Sequence, residues 1–350
     1  MVKTIRKKTP KKGGNKKPNK KTKKLKHSSS ISMPKTSLYC SPFAKKNKVV
    51  SNSCLTKDVV NELVTTYNNT HPDEPISETA PSDLQLMEMN KKVECAKDDC
   101  LLEKVPVGDN KKTQWKEQLF IPPKPSEWSN TSNDESSWLS NIDISKVLNQ
   151  YEKAYPYFHS IGPSPVDYDT IRNSNNCVCN ALCNFSVEKE WNKGIRKIGI
   201  VFNESKDNED GTHWVAFFID LEDNFIFFFN SVGNDIAPEM IQFKDTVIED
   251  ANAFFSNHKN MNMNIINKRK NKKMKFYINS YHHQRSNTEC GMYCLYFIIS
   301  CILRQKDILQ DDLSVNKMTE KELVRYFTKQ RIPDKLMKQY RDYLFRSSSS

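Results

Sequence analysis

A chain of 350 residues with 54 Lys+Arg against 42 Asp+Glu carries a net charge of +12, but 17 of the basic residues and no acid fall in residues 1–48, leaving 37 basic and 42 acidic side chains, a net of −5, in residues 49–350. That distribution excludes a nucleic-acid-binding protein that is basic throughout and favours a basic appendage on a mildly acidic body. No apolar run approaches the ~20 residues needed to cross a bilayer, and no apolar segment follows the basic N-terminus as it would in a secretory signal. The ten cysteines are therefore expected as reduced thiols of a non-secreted protein, not as a disulfide framework.

In chain order, residues 1–50 read as a disordered basic tail, because self-repelling charge and scarce apolar surface cannot offset chain entropy. Residues 51–134 read as a partly ordered arm. Within it, Thr56 to Tyr67 has a helical face of Val59, Val60, Leu63 and Val64, and the proline-rich, acidic stretch Asn69–Ser82 resembles a linker. From about residue 135 to 346 the pattern is that of a packed domain. Trp138–Asp143 leads into a helix to Tyr151, and Ile161-Gly162-Pro163-Ser164-Pro165 marks a turn. The β-branched and aromatic runs Ile198–Phe202, Trp214–Ile219 and Phe225–Phe229 predict three strands. Ile236–Phe255 predicts an amphipathic helix and Lys275–Asn279 a short strand. Cys290–Leu303 is apolar all round and so predicts a buried helix. Thr319-Glu320-Lys321-Glu322 has capping-box spacing and opens a last helical region broken at Pro333. The expectation is an α+β domain with a mixed central sheet and a buried helix.

Two segments carry candidate chemistry. His213 stands at the mouth of the strand that begins at Trp214. A turn centred between residues 221 and 222 would pair position 213 with position 230, within a residue or two of slippage, and place Asn230 beside the imidazole. An amide oxygen there would hold one ring nitrogen and leave the other to take a proton. The second segment, Gln284 to Cys294, is a polar loop that ends in Cys290 at the start of the buried helix. A thiol at a helix N-terminus sees unpaired N–H groups and the positive end of the dipole, which favour thiolate. With His213 as base, Cys290 would be an activated nucleophile. Gln284 could donate its amide to a developing oxyanion, and Asn287 is a second amide that could compete for that role. Cys294 and Cys301, on one face of the helix interior, read as core thiols.

Gly-x-His-Trp at a strand start, an amide seventeen residues on, and Gln-x5-Cys-Gly ahead of an apolar helix together resemble the ubiquitin-like-protein-specific cysteine proteases, which include SUMO proteases and adenain. Within that superfamily, His283-Gln284-Arg285-Ser286-Asn287-Thr288-Glu289-Cys290-Gly291 is similar to the polyprotein-processing proteases of large DNA viruses of the African swine fever and mimivirus type. The resemblance spans about residues 135–345. It implies the adenain/SUMO-protease-like fold, with Cys290 as nucleophile, His213 as general base and Asn230 as ring-orienting group in place of the usual acid. It implies Gln284 and the Cys290 backbone N–H as the oxyanion hole, and Trp214 as the roof of a slot that admits only glycine before the scissile bond. The activity implied is that of a thiol protease cutting at Gly-Gly-x or Gly-x-Gly sites to mature viral structural or core polyproteins. Removal of ubiquitin or a ubiquitin-like modifier from host proteins is the alternative within the same chemistry. A basic virion protein with an inactive protease-like domain is the alternative outside it.

Other constellations are weaker. Cys177-Val178-Cys179 with Cys183 offers three thiols, no fourth ligand and a spacing poor for tetrahedral zinc, so no metal or other cofactor is expected. Lys268–Lys275 places six charges in eight residues. With the 1–48 tail it offers a nucleic-acid contact through phosphate neutralisation, or else a solvated face. Gly13-Gly14 is the lone Gly-Gly pair in the chain and a candidate self-cleavage site. The expected partners are glycine-containing polypeptides, with no membrane. The expected locations are the virion and the infected-cell cytoplasm.

Overall fold

The computed structural model describes residues 39–47, 49–125, 128, 138–172, 176–257, 273–309 and 316–347. Expectations for the 1–38 tail, Gly13-Gly14 and Lys268–Lys272 lie outside the described residues. The segment from Leu38 onward forms one compact unit.

Five helices build the N-terminal part: α1 (Pro42–Lys46), α2 (Lys57–Thr70), α3 (Ser82–Lys92), α4 (Asp98–Lys104) and α5 (Asp109–Leu119). Two expectations change here. Residues 39–47, 49 and 50, read as tail, are ordered. Ser41 caps α1 by accepting from the Ala44 N–H, and the Ser41 N–H donates to the Leu119 carbonyl. The arm, read as loosely packed, has its own apolar cluster, in which Leu55, Val60, Leu63, Val64, Met89 and Leu101 are fully buried. Each helix contributes only a few apolar residues, so no single window of sequence advertises the shared core.

Thirdly, the arm cysteines are not thiols. Cys40–Cys54 and Cys95–Cys100 are bonded, as is Cys177–Cys183 in the following part. Their Cα separations of 5.0, 5.6 and 6.5 Å fall in the disulfide range. The chain fold brings these pairs together, whereas the sequence expectation rested on compartment alone. Cys179, Cys290, Cys294 and Cys301 remain free.

The following part opens with α6 (Asn141–Ala154), whose N-terminus is closed by a capping box between Ser140 and Asp143. A five-stranded sheet follows in the order β1 (Phe158–Pro165), β2 (Lys197–Asn203), β3 (Trp214–Asp220), β4 (Phe225–Phe229), β5 (Lys275–Ile278). The three central strands are antiparallel to one another, and both edge strands join in parallel. Short helices α7 (Asn180–Cys183) and α8 (Val187–Asn192) lie between β1 and β2. The other helices are α9 (Pro238–Asn257), α10 (Cys290–Leu303), α11 (Glu320–Lys329) and α12 (Asp334–Leu344).

The expected turn at residues 161–165 is instead the end of β1. Prolines are tolerated there because the strand is at the sheet edge and its register shifts between Ile161 and Ser164. The alternation along β3 and β4 explains their continuous apolar character. Ala216, Phe218, Phe225, Phe227 and Phe229 pack with α10, α6, α11 and α12 on one face. Val215, Phe217, Ile219, Ile226 and Phe228 pack with α8 and α9 on the other. A sheet covered on both faces needs no polar alternation. All fourteen residues of α10 are buried, and among the described residues no helix is long and apolar enough to cross a membrane.

Candidate active site

The predicted hairpin forms with a two-residue slip. Ala216 pairs with Phe229 and Phe217 with Phe228, so the index sum is 445 rather than 443. A one-residue slip would reverse every side chain, but a two-residue slip keeps faces and makes positions 213 and 230 diagonal neighbours. His213 Nε2 accordingly lies 2.9 Å from Asn230 Oδ1. The amide orientation is fixed by chemistry, because the Val232 N–H donates to the same oxygen at 3.1 Å and an amide nitrogen could not accept it. Nε2 therefore carries the ring proton and Nδ1 carries the lone pair. Asn230 is fully buried. Its backbone is held by Asn279, whose Oδ1 accepts from the Asn230 N–H at 2.8 Å and whose Nδ2 donates to the Asn230 carbonyl at 2.9 Å.

The loop after β4 also positions the second segment. The Ser231 carbonyl accepts from the N–H groups of His283 and Gln284 at 2.8 and 2.9 Å. The Ser231 hydroxyl donates to Gln284 Oε1 at 2.7 Å, and Gln284 Nε2 donates to the Ser286 carbonyl at 2.7 Å. One of the two Nε2 protons is thereby used, and the other remains for a ligand. Gln284 is buried, whereas Asn287 is exposed. The loops approach closely at Gly233, which has φ +74°, and a Cβ there would lie 2.9 Å from the Ser280 carbonyl oxygen.

Cys290 begins α10 with 1 % of its surface exposed. Burial pushes its thiol up, while the backbone N–H groups of Trp214, Gly291 and Cys290 itself act in the opposite direction. Desolvation is the larger effect, so the helix-terminus N–H groups favour thiolate without producing it, and activation falls to a base, the role expected of His213. The Trp214 N–H against the sulfur also places Cys290 beside the residue that follows His213. Cys294, one turn deeper, is pushed further up by complete burial. Trp214 is 8 % exposed, and its indole N–H donates to the Leu139 carbonyl at 2.9 Å. Leu139 and Trp214 also leave no free space at Gly291, where a Cβ would sit 3.0 Å from the Leu139 Cβ.

Three neighbours of this site were not singled out from sequence. Glu204 follows β2; its N–H donates to the His213 carbonyl at 2.9 Å, and its carboxylate accepts from Asn230 Nδ2 at 3.3 Å. Burial pushes the Glu204 carboxyl up, with His213 acting in the opposite direction. The available signal was its position at the end of the strand next to the histidine strand. Glu289 is fully buried and ion-paired with Arg341 of α12, a contact spanning 52 residues.

The third is His283, quoted in the motif without a role. It is fully buried, its Nδ1 accepts from the Ile332 N–H at 3.1 Å, and its Nε2–H faces the Phe327 carbonyl at 2.9 Å. Burial lowers its pKa to about 4, so the ring is neutral and structural. The unfolded chain, with an ordinary His pKa of about 6.5, protonates first. Its stability contribution is therefore intact above about pH 6.5 and falls by about 1.4 kcal/mol per unit as pH drops towards 4. Thermal unfolding across that window should show a shallower acid slope in His283→Gln than in the parent chain.

The Cys177–Cys183 segment holds no metal-type cluster, and none of three or more His, Cys, Asp or Glu occurs among the described residues. In the basic run, Lys275 is paired with Glu320 at 2.7 Å and is not a spare cation.

The sheet with a cysteine-headed buried helix, a histidine–amide pair and a buried glutamine is the arrangement of a cysteine-type peptidase domain. Residues 171–338 match the sequence profile of the Ulp1 protease family, C-terminal catalytic domain. Over 164 residues the chain is 34% identical to a protein assigned as a thiol protease in Acanthamoeba polyphaga mimivirus, covering 47% of each chain. It thus spans about half the length of that relative. Over 216 residues it is 26% identical to the cysteine protease of African swine fever virus, covering 59% of this chain and 67% of the other. The crystal structure of the African swine fever virus protease superposes with a TM-score of 0.53 at 20% identity, covering 89% of this chain and 96% of that one. The fold is therefore shared beyond the family-matched segment.

Proposed function

We propose that this protein is a cysteine endopeptidase that cuts after glycine and matures viral structural or core polyproteins, with residues 135–346 as catalytic domain and residues 51–134 as an arm. The observation that carries the reading is the His213–Asn230 pair, whose tautomer leaves Nδ1 as a base, together with a buried Cys290 whose sulfur meets the backbone N–H of Trp214, the residue after the histidine. In the proposed reaction His213 Nδ1 takes the Cys290 proton as sulfur attacks the carbonyl carbon. The oxyanion is met by the remaining Gln284 Nε2 proton and the Cys290 N–H. Collapse breaks the C–N bond, the imidazolium gives its proton to the leaving amine, and water then hydrolyses the thioester by the same base. No step calls for a metal or organic cofactor.

Trp214, pinned by its indole N–H over Gly291, supports the glycine preference because it cannot swing aside for a Cβ. Peptides carrying Gly-Gly-x and Gly-x-Gly should be cut after glycine, and replacing that glycine by alanine should reduce kcat/KM by at least ~100-fold, read by mass spectrometry of the products. Equal cutting of both would remove the glycine preference.

A modifier-removing activity is the second reading. It is favoured by the name SUMO-1 cysteine protease borne by African swine fever virus relatives that are 26% and 25% identical to this chain. A ubiquitin-like probe with a C-terminal electrophile distinguishes the two: rapid labelling of Cys290 favours deconjugation, and indifference favours polyprotein cleavage. The 1–48 tail and the Lys268–Lys275 run remain proposed nucleic-acid contacts, and Gly13-Gly14 a proposed self-cleavage site. The virion and infected-cell cytoplasm are the corresponding proposed locations.

A further inference from the structure

An asparagine in place of an acid leaves the imidazolium of the reaction without an adjacent counter-charge. We propose that Glu204 supplies that charge at one remove, as a positioning residue acting through Asn230 on His213. This rests on the catalytic reading above. The chain of contacts is continuous: the Glu204 carboxylate accepts from Asn230 Nδ2 at 3.3 Å, and Asn230 Oδ1 accepts from His213 Nε2–H at 2.9 Å. The Glu204 main chain is tied to the histidine strand, because its N–H is bonded to the His213 carbonyl. Asn230 is fully buried, so the charge acts where solvent screening is weak.

A carboxylate that accepts from the amide nitrogen polarises the amide and makes its oxygen a better acceptor for the Nε2–H. The same negative charge favours imidazolium over imidazole. The ionisable groups around the chain are His213 on the strand side and the thiols of Cys290 and Cys294 from α10. Burial pushes both thiols towards the neutral form, so they offer no competing anion; it acts on Glu204 in the same sense, and there His213 opposes it while the Asn230 amide N–H donates to the carboxylate oxygen. Glu204 and Cys294 face one another closely enough for the carboxylate to contribute to the raised thiol.

The geometry makes a charge-exchange test available. Asn230→Asp alone sets two acceptors against each other where Nδ2 now meets the Glu204 oxygen, so one carboxyl must take a proton. Adding Glu204→Gln puts an amide donor opposite that new acceptor and moves the single negative charge one residue nearer the ring. Glu204→Gln alone should lower kcat about tenfold with KM unchanged, the scale of one pKa unit of lost imidazolium stabilisation. The His213 imidazole titration, followed by NMR without substrate, should move to lower pH. Asn230→Asp should be slower than the parent, and Asn230→Asp/Glu204→Gln should recover at least tenfold over Asn230→Asp.

Glu204→Gln with kcat and the His213 titration both unchanged overturns the proposal, whatever happens to its Tm. So does a double variant no faster than Asn230→Asp. The NMR titration needs no turnover. A shifted His213 titration in a protein that cuts no peptide would therefore sink the peptidase reading and leave the electrostatic link standing.

Discussion

Cys290→Ala should abolish peptide cleavage, with a loss of kcat of about 10⁴–10⁶-fold, because removing a covalent nucleophile deletes the intermediate on which the other groups act. The variant should fold normally. Cys→Ala removes a single heavy atom beside Trp214 and the first turn of α10, and so leaves little more than an atom-sized gap. The measurement is a discontinuous peptide assay beside a melting curve. Retained turnover in a correctly folded Cys290→Ala would remove the assignment of the nucleophile. His213 without Cys290 has nothing to deprotonate, so His213→Ala on the Cys290→Ala background should cost almost nothing further. Such non-additivity is expected of groups that act as a unit.

Arg341→Ala should be the most destabilising of the single changes considered, by about 3–5 kcal/mol, because it strands a buried carboxylate. Glu289 is fully buried, and both its oxygens meet the Arg341 guanidinium, from Nε at 3.1 Å and from Nη2 at 3.0 Å. Arg341 also donates to the Thr288 carbonyl and lies over the Trp128 ring. Replacing both partners by apolar residues of similar volume, Arg341→Met with Glu289→Leu, should recover most of the loss, since the desolvation cost then disappears for both charges. Denaturant midpoints at constant m-value read the comparison. A midpoint for Arg341→Ala within experimental scatter of the parent would show that the pair is solvated and idle. The consequence for catalysis is direct. Glu289 immediately precedes Cys290 and already acts to raise its thiol, so a carboxylate without its counter-ion would hold the nucleophile more firmly protonated.

The parts legible in the sequence are those whose determinants are local. The α11 capping box at Thr319 forms as its spacing predicts, with Thr319 and Glu322 each closing on the other's backbone. The all-apolar run from Cys290 is the buried helix, because an element with no polar face has nowhere else to go. The β3–β4 hairpin was read to within two residues, an error of even parity that left the His213–Asn230 pairing intact.

What escaped depends on contacts between distant segments. Glu204 is an ordinary acid until β2 and β3 pair and set it behind Asn230. Glu289 and Arg341 meet only when α12 packs against α10. The disulfides follow from backbone approach in an arm whose short helices pool their apolar residues. β1 was hidden by its prolines, which signal a turn in isolation and are acceptable at an edge.

The end of α12 carries one more implication. Past this helix the chain runs alongside the arm: the Lys124 N–H donates to the Arg346 carbonyl, the Arg346 N–H donates to the Pro122 carbonyl, and the Arg346 guanidinium reaches Asp99. Arm and C-terminus are therefore fastened like the two ends of a buckle, with the peptidase body as the strap between them. Fusions or trims at the C-terminal end accordingly bear on the arm, some 220 residues away in sequence, before they bear on the site.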